Sequence, residues 1–425
     1  MKIAILTNFN EFNPGYSLTG IVQDQCRMLH KYRHDVSIVV LDKFNDKKGL
    51  FPHGGPPVKV LKKMPFGNLI DYKTQDDLTD GHKELAQRIS KMLRSEFFDY
   101  DIIFTHDLIF TGWNLPHAVG IKLASPHMPN VRWMHWIHSI PSTQNDWWSI
   151  RAYGKNHRII FPNSSNRILV AEQYRGTIDS VRTIPHIKDI RTFFDFHKDT
   201  CEFIDKYPSA MRADIVNIYP AGTDRLSAKG VDTVISIMGN LKKMGFTVCF
   251  VCANQWSHQR QEDIAIYKSL AEAEGLVPGK DFIFTSEWND KYANGLPKEI
   301  LRELMMLANL FVFPTNEESF GLVAPEIALA SGALCVFNKS LDQMMEIHGY
   351  AGMFCDFGSN TRPDFNPPIP WNTYLNEITK LIASRMGELE TLRHRSFIRQ
   401  RYNMDNLYEK YYAPIMEEAR KGWLP

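Results

Sequence analysis

The stretch FPTNEESFGLVAPEIALASG, Phe313 to Gly332, joins an apolar strand end, "ANLFVFPT" (308–315), to a helix of small residues. Between them lie two acids, then Ser319-Phe320-Gly321-Leu322, then Pro325-Glu326. Pro325 suits the first turn of a helix, where its missing N–H is not needed. Gly321 lets the loop backbone come close to a ligand. The N–H groups of Ser319 to Leu322 and of the helix start form an end that favours an anion. A carboxylate beside that end can accept from two sugar hydroxyls at once. Glu318 and Glu326, with seven residues between them, are therefore spaced to hold two polyols on either side of a phosphate. The same pattern also fits a plainer reading, in which Glu326 complements the helix dipole and Glu318 is an exposed loop acid. The stretch alone leaves both open.

Outward from it, strands and helices alternate. "DIVNIYPAG" (214–222), "FTVCFVCAN" (246–254), "DFIFTSEW" (281–288) and "ALCVFNKS" (333–340) read as strands, with helices at 229–245 and 261–275. An earlier series reads the same way: "KIAILTNF" (2–9), a Gly/Pro/Asn loop, a helix over 21–32, and strands at 35–42, 100–107, 131–139, 158–165 and 180–186. Such alternation predicts doubly wound parallel sheets, with ligands beyond the carboxyl ends of the strands. The 425 residues exceed one ordinary core, so two domains are expected, with a site in the cleft between them. A basic insertion at 43–68 separates the second strand from the next helix, and a charged, aromatic helical segment closes the chain at 386–423.

Composition narrows the class. With 44% hydrophobic and 23% charged residues the chain is of soluble globular type. The start MKIAILTNF is too short an apolar run for a signal peptide, and no stretch is long enough to span a bilayer. The six cysteines are scattered, as in a reduced compartment, which points to a cytoplasmic location, peripheral association with a membrane remaining compatible. Cys249 and Cys252 stand on opposite faces of a strand and read as core. Residues 1–200 carry a surplus of six positive charges and the remainder a surplus of five negative ones. That asymmetry suits an anionic partner on the first half, and suits scattered solvated surface equally well.

Glu318 to Glu326 with Phe320-Gly321-Leu322 inside resembles the E-x7-E motif of retaining family 4 glycosyltransferases of GT-B fold. "GTDRLSAKGVDTVISI" (222–237) is similar to that family's strand-loop-helix with an Arg and a Lys-Gly, "VRTIPHIKDIRTF" (181–193) to the end of its first domain, and "RWMHWIHS" (132–139) to its strand ending in a functional His. The similarity runs in order from about residue 1 to 410. It implies an α/β GT-B fold: an acceptor-binding Rossmann-like domain (1–195), a nucleotide-sugar domain (196–395), an interdomain cleft, and a C-terminal helical segment (396–425) returning to the first domain. Glu326 would bind the nucleotide ribose. Glu318 would bind donor-sugar hydroxyls, with the N–H groups of Ser319, Phe320, Gly321 and Leu322 on sugar and phosphate.

Arg225 and Lys229 would clamp the diphosphate, and His138 would lie near the sugar and the acceptor. Physics supports the clamp independently, because a departing diphosphate gains charge and two fixed cations stabilise it. Those cations can take over a divalent metal's task, and no suitably placed Asp-x-Asp is present, so neither metal nor cofactor is expected. His135 alternates away from His138 and reads as structural, and His106 is a further candidate at a strand end. Trp133, Trp136, Trp147 and Trp148 can stack on an acceptor ring or fill core. The family's usual Gly-Gly after the first strand is here NEFNPGYSLTG, with single Gly15 and Gly20; Gly20, read as preceding a helix, keeps the donor contact possible. The Asn-Gly usual after Ile-Pro is His186-Ile187. "FTSEWND" (284–290), at a strand end, is the expected contact to the base.

The implied function is retaining transfer of a hexosyl group from a UDP- or GDP-sugar to a saccharide or lipid-linked glycan. Two alternatives stand beside it. One is glucosylation of hydroxymethylated bases in DNA, which the lysines of the insertion (Lys43, Lys47, Lys48, Lys59, Lys62, Lys63) and the basic stretch from Arg151 to Arg191 would suit. The other is a non-catalytic sugar-nucleotide-binding protein, which the presence of both glutamates disfavours.

Overall fold

The computed structural model describes residues 1–46, 49–51, 55–65, 75–109, 115–139, 149–255, 261–360 and 365–422. The chain divides into two compact units, changing from one to the other between Lys188 and Asp189 and again between Arg401 and Tyr402.

The first unit is built on a seven-stranded parallel sheet of order β3-β2-β1-β4-β5-β6-β7. Its strands are β1 (Lys2–Leu6), β2 (Asp35–Leu41), β3 (Lys59–Met64), β4 (Ile102–His106), β5 (Arg132–Trp136), β6 (His157–Phe161) and β7 (Val181–Thr183). Helices cover both faces, so the central strands are nearly continuous apolar runs. Ile103, Trp133 and Ile159 face one core, whereas Ile102, Phe104, Met134 and Trp136 face the other. The basic insertion holds β3, a strand that its lysine-interrupted pattern does not announce. It is an edge strand, one side of which takes charge freely, and its lysines discourage pairing with another chain. Helix α1 (Ser17–Lys31) begins four residues before the expected start, so Gly20 lies inside its first turn rather than ahead of it.

The chain returns to this unit from Tyr402 onward. Lys188 N–H donates to the Tyr402 carbonyl at 2.8 Å, and Tyr408 stacks on Tyr32 at 3.5 Å between ring centres. Asp405 accepts from the Tyr32 hydroxyl at 2.9 Å and pairs with Lys31 at 2.8 Å.

The second unit has a six-stranded parallel sheet of order β10-β9-β8-β11-β12-β13. Its strands are β8 (Ile215–Pro220), β9 (Val248–Ala253), β10 (Phe282–Phe284), β11 (Leu310–Phe313), β12 (Leu334–Asn338) and β13 (Met353–Cys355). Three helices position the site: α2 (Val231–Lys243), α3 (Lys298–Met305) and α4 (Val323–Ser331). The strand order is that of a Rossmann sheet, which reverses direction between β8 and β11. The architecture is therefore two Rossmann-like α/β units with the C-terminal helices on the first. Cys249 and Cys252 are both buried in β9. Among the described residues no helix is long and apolar enough to cross a membrane.

Candidate functional site

In the second unit the chain leaves β8 and β11 on either side of the point where strand order reverses, which is where an open α/β sheet offers a crevice. The loop after β8 carries Arg225 and Lys229, and the loop after β11 carries Glu317 and Glu318. The loops are tied to each other by backbone. Asn316 N–H donates to the Ala228 carbonyl at 2.9 Å, and Asn360, beyond β13, donates its N–H to the Asn316 carbonyl at 3.2 Å. Asn338, at the end of β12, donates to the Thr315 carbonyl at 2.9 Å and to the Gly358 carbonyl at 2.6 Å.

Gly230 makes this closeness possible. Its φ is +65°, and a Cβ there would stand 2.7 Å from the Pro314 carbonyl oxygen. Lys229, one residue earlier, is held from below by the Tyr219 hydroxyl, which donates to its carbonyl at 2.8 Å.

Lys229 Nζ meets Glu318 at 2.5 Å, and the two side chains are only 14% and 17% exposed. Arg225 meets Glu317 at 2.6 Å, but both of those side chains are 48% exposed, so solvent screens that pair much more. Glu318 also accepts from the Ser319 N–H at 3.0 Å. Burial alone would raise its pKa. Lys229 and the N–H groups of Ser319 and Gly321 outweigh it and hold the carboxyl below its ordinary value, so Glu318 is ionised at neutral pH. Gly321, at φ +75°, turns the backbone under that carboxylate; a Cβ would come within 3.1 Å of the Phe313 ring. Two of the N–H groups expected to face sugar and phosphate are thus directed at Glu318 in this structure. Phe320 and Leu322 are exposed.

Glu326 sits apart from this cluster. It lies in the first turn of α4, 3.7 Å from an almost fully exposed Lys298. It lines a depression of about 470 Å³ with Lys298, Arg302, Met305 and Leu329. Arg225 and Lys229 line another of about 490 Å³ with Gly222, Asn254, Gln255 and Leu296, and Leu301 borders both. The segment expected at the base is largely internal: Thr285 and Ser286 are buried against Asn254, and Trp288 packs on Tyr292.

His138, in the first unit, follows the end of β5. Its N–H donates to Asp107 at 3.1 Å, and its Nε2 lies 3.0 Å from His106 Nδ1. His106, on β4, meets Gln25 Oε1 through Nε2 at 2.8 Å. His186 and Trp136 lie near-parallel to His138, at 5.1 and 5.4 Å between ring centres. Burial pushes His138 down to about 3, with His186 contributing, and pushes His186 down to about 4, with Lys188 contributing. Burial lowers His106 as well and raises Asp107 to about 6. These imidazoles are neutral at pH 7.

On the other sheet face, His135 bridges the Thr105 hydroxyl at 2.9 Å and His157 at 2.8 Å, a polar chain within core. Trp133 and Trp136 are buried; Trp147 and Trp148 lie outside the described residues. Sequence reasoning missed Glu317, Gln25 and His186. The doubled acid at 317–318 was the available signal for the first; Gln25, on α1, and His186, beyond β7, carry no local signal.

Gly20 lies within α1, where a Cβ would meet nothing within 4 Å. Among the described residues no cluster of three or more His, Cys, Asp or Glu could hold a metal ion. Much of the basic surface is engaged locally: Lys59 with Asp35 at 3.7 Å, Lys63 with Glu96 at 3.4 Å, and Arg182 with Glu418 at 3.1 Å. Arg167 donates to the Val181 carbonyl at 2.7 Å. Lys47 and Lys48 lie outside the described residues.

No family model matches the chain, and no curated protein matches it. Solved structures similar to it include Anabaena Alr3699/HepE in complex with UDP and glucose, at 17% identity and a TM-score of 0.36, covering 98% of this chain and 100% of that one. A glycosyltransferase from Rickettsia africae ESF-5 is similar at 12% identity and 0.37, covering 99% of each chain. WaaG, a glycosyltransferase involved in lipopolysaccharide biosynthesis, is similar at 14% identity and 0.31, covering all of both chains. Likenesses this slight say nothing about what this chain binds.

Proposed function

We propose that the chain is a retaining glycosyltransferase that moves a hexosyl group from a UDP- or GDP-sugar to a saccharide or lipid-linked glycan without a divalent metal. The observation that carries this reading is the shielded Lys229–Glu318 pair at the strand-order reversal of the second unit, with Arg225 and Glu317 beside it. A cation and a carboxylate in contact there match the two chemistries of a sugar diphosphate. Lys229 and Arg225 offer positive charge to the phosphates as the leaving group gains charge. Glu318 keeps a free lone pair for a sugar hydroxyl after accepting from Lys229, Ser319 and Gly321. Glu326, across Leu301, takes the ribose; Ser319, Phe320, Gly321 and Leu322 supply backbone to sugar and phosphate.

In the first unit, His138 takes a hydroxyl of a substrate. The departing phosphate serves as base, so the bond to the acceptor oxygen forms on the face from which the diphosphate leaves. The location that goes with this chemistry is cytoplasmic, with peripheral membrane contact where the acceptor is lipid-linked.

The test is turnover of a panel of UDP- and GDP-sugars in EDTA, with the anomeric configuration of the product read by NMR. Metal-free turnover with retention is expected. Activity that EDTA abolishes and manganese or magnesium restores would reject metal independence. An inverted product would reject retention, and binding without turnover would favour the non-catalytic reading.

A further inference from the structure

The ring nitrogens of His106 and His138 form a directed chain that starts on α1. Gln25 is buried on that helix, and its Oε1 lies 2.8 Å from His106 Nε2. An amide oxygen only accepts, so His106 Nε2 carries its proton. A neutral imidazole has one N–H, which leaves His106 Nδ1 bare. That atom lies 3.0 Å from His138 Nε2, and it can only accept. His138 Nε2 must therefore be the donor, and its own Nδ1 is bare.

We infer that Gln25 and His106 are positioning residues that hold His138 as its Nε2–H tautomer, presenting Nδ1 as an acceptor for a substrate hydroxyl. His138 Nδ1 is buried and has no hydrogen-bond partner among the described residues. A lone pair left unpaired in this way costs less than a buried, unpaired N–H. The near-parallel Trp136 and His186 rings limit rotation of the imidazole, and Asp107 fixes its backbone. Burial keeps both rings neutral at pH 7, which the chain of single donors requires. Gln25 Nε2 makes no hydrogen bond of good geometry, with the Tyr412 hydroxyl beside the amide. If the amide were reversed, every donor in the chain would reverse and His138 Nδ1 would carry the proton.

The tautomer stands on the hydrogen-bond geometry and the neutrality of the two buried rings, whereas its use on a substrate rests on the glycosyl-transfer reading. The experiment is a long-range 1H–15N correlation spectrum of the full chain labelled with 15N-histidine at pH 7, with resonances assigned through His106→Asn and His138→Asn. The wild type should show His138 as Nε2–H. Gln25→Glu keeps an acceptor and should preserve that pattern. Gln25→Met removes it and should shift His138 toward Nδ1–H or a mixture. A wild-type Nδ1–H signal would overturn the inference, as would a tautomer unmoved in Gln25→Met.

If Gln25→Met does not fold, the wild-type spectrum still decides. In the kinetic arm, Gln25→Met should lower kcat/KM about tenfold, the scale of one neutral hydrogen bond, with Gln25→Glu near wild type. A shifted tautomer with unchanged kinetics would overturn the substrate role. If the wild type turns over no nucleotide sugar, the glycosyl-transfer reading fails while the spectrum still answers the tautomer question.

Discussion

The two units use the same kind of sheet and equip the ends of its strands with opposite chemistry. In the second unit the loops after β8 and β11 bring charges into contact, Lys229 with Glu318 and Arg225 with Glu317. In the first unit the ends of β4 and β5 carry neutral imidazoles, His106 and His138, chained to an amide. Eleven of the fifteen histidines lie in the first unit's sequence. The contrast shows that a Rossmann-like sheet dictates where a crevice opens and leaves its chemistry to a few loop residues.

The contrast shows most visibly in acid. His138 and His157 are held near 3, and His117 and His186 near 4, chiefly by burial, with His106 and His135 lowered for the same reason. Their folded pKa values lie below the unfolded value near 6.5, so the unfolded chain binds more protons in that window. Stability from these histidines is therefore complete above about pH 6.5 and falls as the pH drops toward the folded values, while Asp107, raised to about 6, takes up its proton earlier in the folded state and offsets part of the loss. Each such histidine costs up to about 2 kcal/mol by pH 5, and a group of them costs several. In the second unit, Glu318 is depressed instead, so its contribution is lost only below the ordinary carboxylate range. Hydrogen exchange, corrected for intrinsic rate, should show β4 to β6 losing protection between pH 6.5 and 5 while β8 to β11 keep theirs. Equal loss in both units would erase the distinction.

A smaller effect sharpens the second unit's side. Gly230→Ala places a side chain at φ +65° against the Pro314 carbonyl. It should cost about 2 kcal/mol of stability and weaken Lys229's approach to the β11 loop. Denaturant titration of the variant measures this, and a cost near zero would show that the approach is not constrained there.

Much of this was legible in the sequence. Buried strands such as "VCFVCA" are unbroken apolar runs, and "IVNIYP" is interrupted only by Asn217, because helices cover both faces of their sheets. The acidic pair around Gly321 announced the loop. Strand β3 did not announce itself, since Lys59, Lys62 and Lys63 interrupt its apolar pattern at a solvent-facing edge. Nor did β13, whose three residues are too few for a period. The Gln25–His106–His138 chain spans more than a hundred residues: the parallel register of β4 on β5, with His106 opposite Trp136, brings the histidines together, and α1 brings Gln25 to His106. That Glu317 and Glu318 would each take one of the two cations depends on loop closure, which local pattern does not encode.

The smallest effect concerns the first unit's basic edge. Lys59 and Lys63 already have acidic neighbours, and Lys62 lies over the Phe44 ring at 5.4 Å. Replacing all three by Gln should change stability by no more than about 0.5 kcal/mol each and leave donor turnover unchanged. Filter binding to duplex DNA across salt concentrations should show no steep dependence to lose. A steep slope in the wild type that flattens in the variant would revive DNA as acceptor.

The most direct test of the central claim is turnover of UDP- and GDP-sugars in EDTA by the wild type and by Lys229→Ala, with folding of the variant checked by thermal unfolding. Removing one charge contact to the departing diphosphate should lower kcat by about 10²-fold or more, with Arg225→Ala in the same direction. A folded Lys229→Ala variant with near wild-type turnover, or a wild type that turns over none of these donors, would contradict the account.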